Sequence, residues 1–343
     1  MHLHAVALKL ATFMLAWVSL CSAQTTDPAT RPSAHADWQI QREAEYVRVT
    51  RNGQPVLLYR YKGARKPYLK ELYTPAGVQI LLDSPPDHVH HRGLMFAVAV
   101  DGVDFWSETD QSGRQISSSL STAPPVPGRD NEMVFLEHVS WLARDDKELL
   151  HEARRIDVHR APEIYASGAT LLTWHALLTC SNADEAQLTG SHYFGLGMRF
   201  VAAMGKNGHF ISSDPNAMPE VVRGDERLYS GAWCAYTASV DGHPVTVAMF
   251  DRPENKRPAT WFTMKDPFAY LSATWKLHRE PLVLKRTEPM YLTYGVAAWD
   301  GQIAPEQIAK TYEVWLQLLA SAQPDGQTTS MPAGVHELLK YLK

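Results

Sequence analysis

Cysteine is scarce, with three in 343 residues, and Cys21 falls in the N-terminal apolar stretch. Cys180 and Cys234 remain, far apart and in apolar strand-like segments, so a disulfide framework is excluded. They form either one bridge or two buried thiols. No apolar run after the N-terminus reaches the length of a bilayer span. A large excess of either charge sign is missing too. A formal net charge of -4 gives no electrostatic reason to expect nucleic acid or an anionic membrane surface as partner. There is no Ser-centred nucleophile elbow, phosphate loop or dinucleotide fingerprint.

What remains is the make-up of an ordinary folded protein, with 45% hydrophobic and 20% charged residues and enough length for a large core. The 10 Trp and 14 Tyr are a surplus; flat rings stack on sugars as readily as they fill sheet cores. The first 23 residues read as a secretory signal peptide. Lys9 precedes an apolar run from Leu10 to Leu20, and Cys21-Ser22-Ala23 offers a small-residue cleavage site. Leu20 is bulky where a lipidated cysteine needs a small predecessor, which argues against an anchor at Cys21. The expectation is an exported protein, periplasmic or extracellular. Residues 24–36, rich in Thr, Pro, Ala and Ser, read as a flexible linker, and 37–343 as a single domain.

Short alternating runs separated by turn residues predict most of that domain to be strand. Asn52-Gly53 between Tyr46 to Val49 and Val56 to Tyr59 is a strong hairpin signal, and Pro55 suggests an edge. Further strands are expected at Tyr68 to Leu72, Gly93 to Val100, Met133 to Leu142, Arg155 to His159, Leu171 to Cys180, Tyr193 to Ala202, Trp233 to Val240, Val245 to Phe250, Tyr270 to Trp275, Leu282 to Leu284 and Tyr291 to Trp299. Gln111 to Asp130, rich in Ser, Gly and Pro, reads as a long surface loop or a flap. One helix is clear: Pro305 opens it, and Ile308, Tyr312, Trp315 and Leu319 recur at helical spacing. A second short helix is expected around Val335 to Leu342. The fold class is mainly β, a large antiparallel β-sandwich with C-terminal helices; two lobes split near Gly190 are the alternative.

Chemistry concentrates in Asp83-Ser84-Pro85-Pro86-Asp87-His88-Val89-His90-His91-Arg92-Gly93. Crowded charged and imidazole groups shift one another's pKa values, so such a cluster marks a functional site. In extended backbone His88 and His90 would share a side and His91 would face away. His88 and His90 then offer half a metal shell for a divalent ion, completed by His192, Asp87 or Glu288. The acid/base reading instead takes His90 or His91 as proton carrier, Asp87 to orient it and Arg92 to hold a substrate oxygen. An Asp-His-Arg network locking a corner of the sandwich is the purely structural possibility. Elsewhere Arg199, after Gly195-Leu196-Gly197, and His192 could reach the same pocket. Trp106, Trp233, Trp261 and Tyr193 are candidate sugar-stacking platforms, and Glu288 a candidate base. Asp251 and Asn255, in a Pro-containing turn, read as local backbone caps.

The segments Tyr68 to Gly77, Asp83 to Leu94 and Val103 to Trp106 resemble an exported bacterial family labelled "methane oxygenase PmoA". So do Gly195 to Phe200, Trp233 to Tyr236, Ala248 to Asn255, and Trp261-Phe262. That resemblance implies a domain of uncharacterised function, often encoded beside sugar oxidoreductases and sugar-degrading enzymes. The architecture is similar to the β-supersandwich of sugar mutarotases. The combined expectation is a carbohydrate-active protein that binds a saccharide in an open cleft and acts on it by His/carboxylate chemistry, as hydrolase, lyase or epimerase. A copper- or zinc-binding oxygenase-like protein and a non-catalytic glycan-binding module are the rivals.

Overall fold

A computed structural model describes residues 37–123, 132–205 and 207–321. The expected signal peptide, the linker and the helix around Val335 to Leu342 lie outside the described residues. Strands form three antiparallel sheets. The ten-stranded sheet begins with Trp38–Arg42, Tyr46–Arg51, Gln54–Arg60 and Tyr68–Leu72. It continues through Leu94–Ala97, Gly195–Arg199, Tyr270–Thr274 and Thr260–Met264, and ends with Arg227–Ser230 and Glu220–Val221. The eight-stranded sheet has His209–Ser212 at one edge and Arg114–Ala123 at the other, with Ala169–Cys180 and Met290–Asp300 near its centre. A four-stranded sheet joins Leu282–Lys285, Glu185–Thr189, Ala99–Val100 and Val103–Asp104. Leu94–Ala97 pairs with Gly195–Arg199, so strands on both sides of Gly190 share one sheet.

Alternation decides which face each strand buries. Leu172, Trp174, Ala176 and Leu178 enter the main core, while Leu171 joins a second cluster beneath the helix Pro305–Ser321. Phe96 meets Trp141 at a centroid distance of 5.6 Å and Phe200 meets Tyr236 at 5.1 Å, marking the interface between the two large sheets. The buried Arg154 also bridges them. It donates to Glu152 at 2.7 and 2.8 Å, to the Tyr59 hydroxyl at 2.8 Å and to the Pro67 carbonyl at 3.1 Å.

Two expectations need correction, and one open alternative, at the cysteines, is decided. Arg114–Ala123 is a strand, not a loop: its Ser-rich outer side meets solvent at the sheet edge, while Gln115 and Leu120 are buried against the core. Residues 124–130 of the expected loop lie outside the described residues. Pro55 is not on an edge strand, because Tyr68–Leu72 covers Gln54–Arg60 on the far side; the proline sits at the strand's start beside a register shift at Val49/Thr50. Cys180 and Cys234 are separate buried thiols.

The helix lays Ile308, Thr311, Trp315 and Leu319 on the outer face of the eight-stranded sheet, and the Trp315 indole donates to the Thr173 hydroxyl at 2.9 Å. Trp315→Ala therefore removes a fully buried ring and is expected to cost about 3–5 kcal/mol, read as a lower urea midpoint with the slope unchanged.

Candidate functional site

The histidine loop folds as two successive turns. Asp83 and Arg92 face each other as a bridge, and the Ser84 amide donates to His91 O at 2.8 Å. Inside that closure His88 N donates to Pro85 O at 3.0 Å and His91 N to His88 O at 2.9 Å. Proline's fixed φ suits the first turn. The extended geometry is thus overturned: the turns gather all three imidazoles instead of sending His91 away. Ring centroids lie 4.6 Å apart for His88 and His91, 4.6 Å for His90 and His91, and 5.7 Å for His88 and His90. Gly93 follows at φ +43°, where a Cβ would stand 2.2 Å from Leu69 O, so only glycine lets the loop enter its strand this close to the neighbour.

The three rings line a cleft of about 640 Å³ with Trp106, Tyr193, Phe262, Phe268, Tyr270 and the acidic turn at Asp225-Glu226. Because Phe96 and its cross-strand partner Leu196 face the eight-stranded sheet, alternation turns Gly197, Arg199 and Tyr270 to the opposite face, which is the cleft floor. The Tyr270 ring lies over Gly197, where a Cβ would come within 2.1 Å of its hydroxyl. Trp106 stands at the wall, stacked on Phe194 at 5.0 Å and 10°. The Trp106 indole N–H and the Tyr270 hydroxyl are both buried with no protein partner.

Electrostatics separate the histidines. Burial, then the charges of His90, His88 and Arg199, push His91 down to about 2, so it is neutral throughout the working range. His90, partly exposed, is lowered by burial first and by Lys66 and His88 next. His88 Nδ1 lies 2.9 Å from the exposed Asp87, whose carboxyl is held below its usual range by that bond and by Arg199. Arg199 is buried beneath the loop, with its guanidinium 3.3 Å from Asp87, 3.3 Å from His91 Nδ1 and 3.4 Å from the Phe268 centroid.

Arg92 does not reach the cleft. It points to the other side of the loop, bound at two points to Glu108 at 3.1 and 2.6 Å, with Asp83 3.7 Å away. Burial opposes ionisation of Glu108, but the Arg92 bonds and Lys66 hold its carboxyl below the usual range. Lys66, itself buried, lies 3.4 Å from Glu108 and donates to the Trp106 carbonyl at 2.5 Å. Arg92, Glu108 and Lys66 thus tie the histidine loop to the aromatic wall.

Of the other expected site residues, Tyr193 and Trp106 line the cleft; His192 is outside the lining but contacts two residues of it, 2.9 Å from Glu226 and 5.4 Å between ring centroids from Phe262. Trp261 does not line it. In Thr260–Met264 alternation sends Phe262 to the cleft and Trp261 into the inter-sheet core, where its indole donates to Gly231 O at 2.7 Å. Trp233 is buried beneath the helix on the eight-stranded sheet, and Glu288 is an exposed turn residue 3.8 Å from Lys285 on the four-stranded sheet. No group of three or more His, Cys, Asp or Glu among the described residues is arranged to hold a metal ion. His192 is bonded to Glu226 and Glu288 lies on the four-stranded sheet, so neither completes a shell with His88 and His90. Asp251 and Asn255 cap backbone, with Asp251 accepting from Ala259 N at 2.8 Å and Asn255 donating to Thr293 O at 2.9 Å.

A family model described as a family of unknown function, DUF6807, matches residues 46–313. The chain belongs to that family. The resemblance to the family labelled methane oxygenase is thereby corrected, since no match to it appears. No curated protein matches the chain. Among solved structures, the chain is similar to the galactosidase domain of alpha-galactosidase-sucrose kinase, at 9% identity, TM-score 0.43, over 78% of this chain and 42% of that one. The alpha-galactosidase of Lactobacillus brevis gives 6% identity and TM-score 0.47 over 80% and 41%. The mutarotase candidate YeaD of Salmonella typhimurium gives 8% and 0.43 over 77% and 94%. The chain therefore spans about two fifths of the galactosidases. Among the described residues, no helix is long and apolar enough to cross a membrane.

The buried Lys66 supplies a pH test. Burial lowers its pKa from 10.5 to about 8. Between those values the unfolded chain holds a proton that the native protein has released, so this group makes stability rise with pH across that window and adds nothing to the slope below it. The rise amounts to roughly 3 kcal/mol at most. Lys66→Met is expected to flatten that segment in urea titrations from pH 7 to 10.5; equal slopes in both proteins would refute the assignment.

Proposed function

We propose that the cleft binds a neutral saccharide and that His90 moves a proton on it. The observation that carries this reading is an aromatic wall with polar edges set among three imidazoles. Ring faces at Trp106, Tyr193 and Phe262 suit the C–H face of a pyranose, and imidazole and carboxylate edges suit its hydroxyls. The unpaired Trp106 N–H and Tyr270 hydroxyl lie in the same wall.

The charges favour a sugar without a carboxylate. Asp225, Glu226 and Asp266 line the cleft against Arg223, itself paired with Glu226 at 3.0 Å, while Arg199, behind His91, is paired with Asp87 at 3.3 Å. His90 has the exposure that His91 lacks, and a lowered pKa keeps it neutral at pH 7, ready to accept a proton. The carboxylate partner in this reading is Glu226 with His192, not Asp87, which sits on the outer rim. Hydrolysis, elimination and epimerisation all use this set. Export of the chain, read from its first 23 residues, would place the cleft where extracellular or periplasmic glycans occur.

Calorimetry and product analysis with neutral glycosides and their uronic acid counterparts test the reading. Neutral sugars are expected to bind more tightly, and Tyr193→Ala to weaken binding about tenfold, which is about 1.4 kcal/mol. His90→Gln is expected to lower turnover by about 10² or more while binding stays within a few-fold. The acid limb of kcat/KM should fall below pH 6.5, the unperturbed imidazole value. Binding without product from any sugar would reduce the protein to a glycan-binding module; no binding at all would remove the saccharide reading.

A further inference from the structure

We propose that His91 is a fixed hydrogen-bond donor to the cleft, presenting Nε2–H to an acceptor oxygen of the ligand. Only the identity of that ligand rests on the saccharide reading above.

The argument begins with Arg199. A guanidinium has donors and no acceptor, so where Arg199 Nη1 meets His91 Nδ1 at 3.3 Å the ring nitrogen must offer its lone pair. A proton on Nδ1 would set N–H against N–H, and an imidazolium would press a second cation onto the guanidinium. The ring is therefore neutral, with its single proton on Nε2. No protein group takes that proton: among the described residues the ring's hydrogen bond is the one at Nδ1, and the ring lines the cleft. The groups packed around the imidazole are His88, His90, Arg199, Phe268, Trp106 and Tyr270, with Asp87 behind His88 and Arg199, bonded to both. The charged ones, Arg199 and Asp87, bond to each other at 3.3 Å, so no carboxylate contacts the ring to stabilise a second proton.

Arg199 is held well enough to impose this. Its guanidinium is stacked on Phe268, its backbone N–H donates to Gly93 O at 2.8 Å, and its strand is paired on both sides. Burial pushes His91 in the same direction. The cleft thus contains two unlike imidazoles side by side. His90 is free to exchange a proton, and His91 is locked as a donor. The locked donor selects a ligand oxygen that can accept at that point, a hydroxyl or carbonyl. It rejects an ammonium there, which has no lone pair to offer.

Long-range ¹H–¹⁵N NMR of the histidine rings in the full chain at neutral pH tests the lock, with His91 assigned through the backbone of the unmodified protein. The expected result is a pure Nε2–H tautomer. Arg199→Leu is expected to release it into a tautomer mixture, and Arg199→Lys, which still donates, to restore it. An Nδ1–H tautomer, or a mixture in the unmodified protein, would overturn the proposal. Methyl β-D-glucopyranoside, its galacto and manno epimers, and their monodeoxy and monoamino forms are then added. Loss of affinity of about tenfold or more on replacing one hydroxyl by hydrogen or ammonium, together with a shift of the His91 Nε2–H signal, supports the donor role. A locked Nε2–H that none of these sugars perturbs leaves the donor in place and removes the saccharide reading instead.

Discussion

The cleft depends on one buried ion pair. Arg92 and Glu108 meet at two points, the geometry in which a planar guanidinium and a carboxylate gain most from each other, and both are largely shielded from water. Arg92 ends the histidine loop, and Glu108 follows the wall residue Trp106 by two positions. The pair therefore fixes the distance between two parts of the cleft that come from different sheets. Lys66 strengthens the junction by donating to the Trp106 carbonyl, and the Asp104 carboxylate accepts from the Trp106 backbone N–H at 2.6 Å. Breaking such a pair from one side leaves a buried charge without a partner, which typically costs 3–5 kcal/mol. A residue of this kind looks catalytic in a sequence because it sits beside three histidines. Here it acts as the anchor of the loop.

A second arginine, Arg199, works on the opposite side of the same loop and to a different end. Arg92 holds the backbone, whereas Arg199 sets the hydrogen-bonding polarity of a side chain. A third, Arg154, lies between the two large sheets, where Glu152, Tyr59 and the Pro67 carbonyl receive its donors. Each guanidinium joins segments distant in sequence, and each carries more fixed donors than a lysine in the same place would offer.

Much of the architecture was legible because strand alternation and turn residues act locally. The hairpin at Asn52-Gly53 forms with both residues at positive φ, Trp233–Val240 has the bounds its pattern predicts, and Pro305 opens the helix. Arg114–Ala123 was missed because an edge strand with one wet face needs little apolar sequence. The histidine loop was legible as a place, but its geometry was not: Pro85 and Pro86 turn it where an extended chain was expected, which brings His91 to the same side as His88 and His90. Phe262 and Trp261 show a similar limit, since one position of register exchanges core and cleft and aromatic content cannot choose between them. Lys66, Glu108 and Glu226 carried no signal. Each stands among charged or polar neighbours in sequence, and only tertiary pairing makes it buried or places it on the cleft.

Leu94–Ala97 belongs to the ten-stranded sheet and Ala99–Val100 to the four-stranded one, with Val98 the single residue between them. Glu185–Thr189 and Gly195–Arg199 make the same passage alongside. The floor and Phe262 are thus carried by one sheet, while Trp106 follows a strand of the other, so the two sides of the cleft meet along this seam. Substitutions at the seam would then alter which sizes of ligand enter while leaving every imidazole and carboxylate in place. If the cleft does hold a saccharide, as proposed, the size of ligand it admits and the groups it presents would be separate properties, adjustable one without the other.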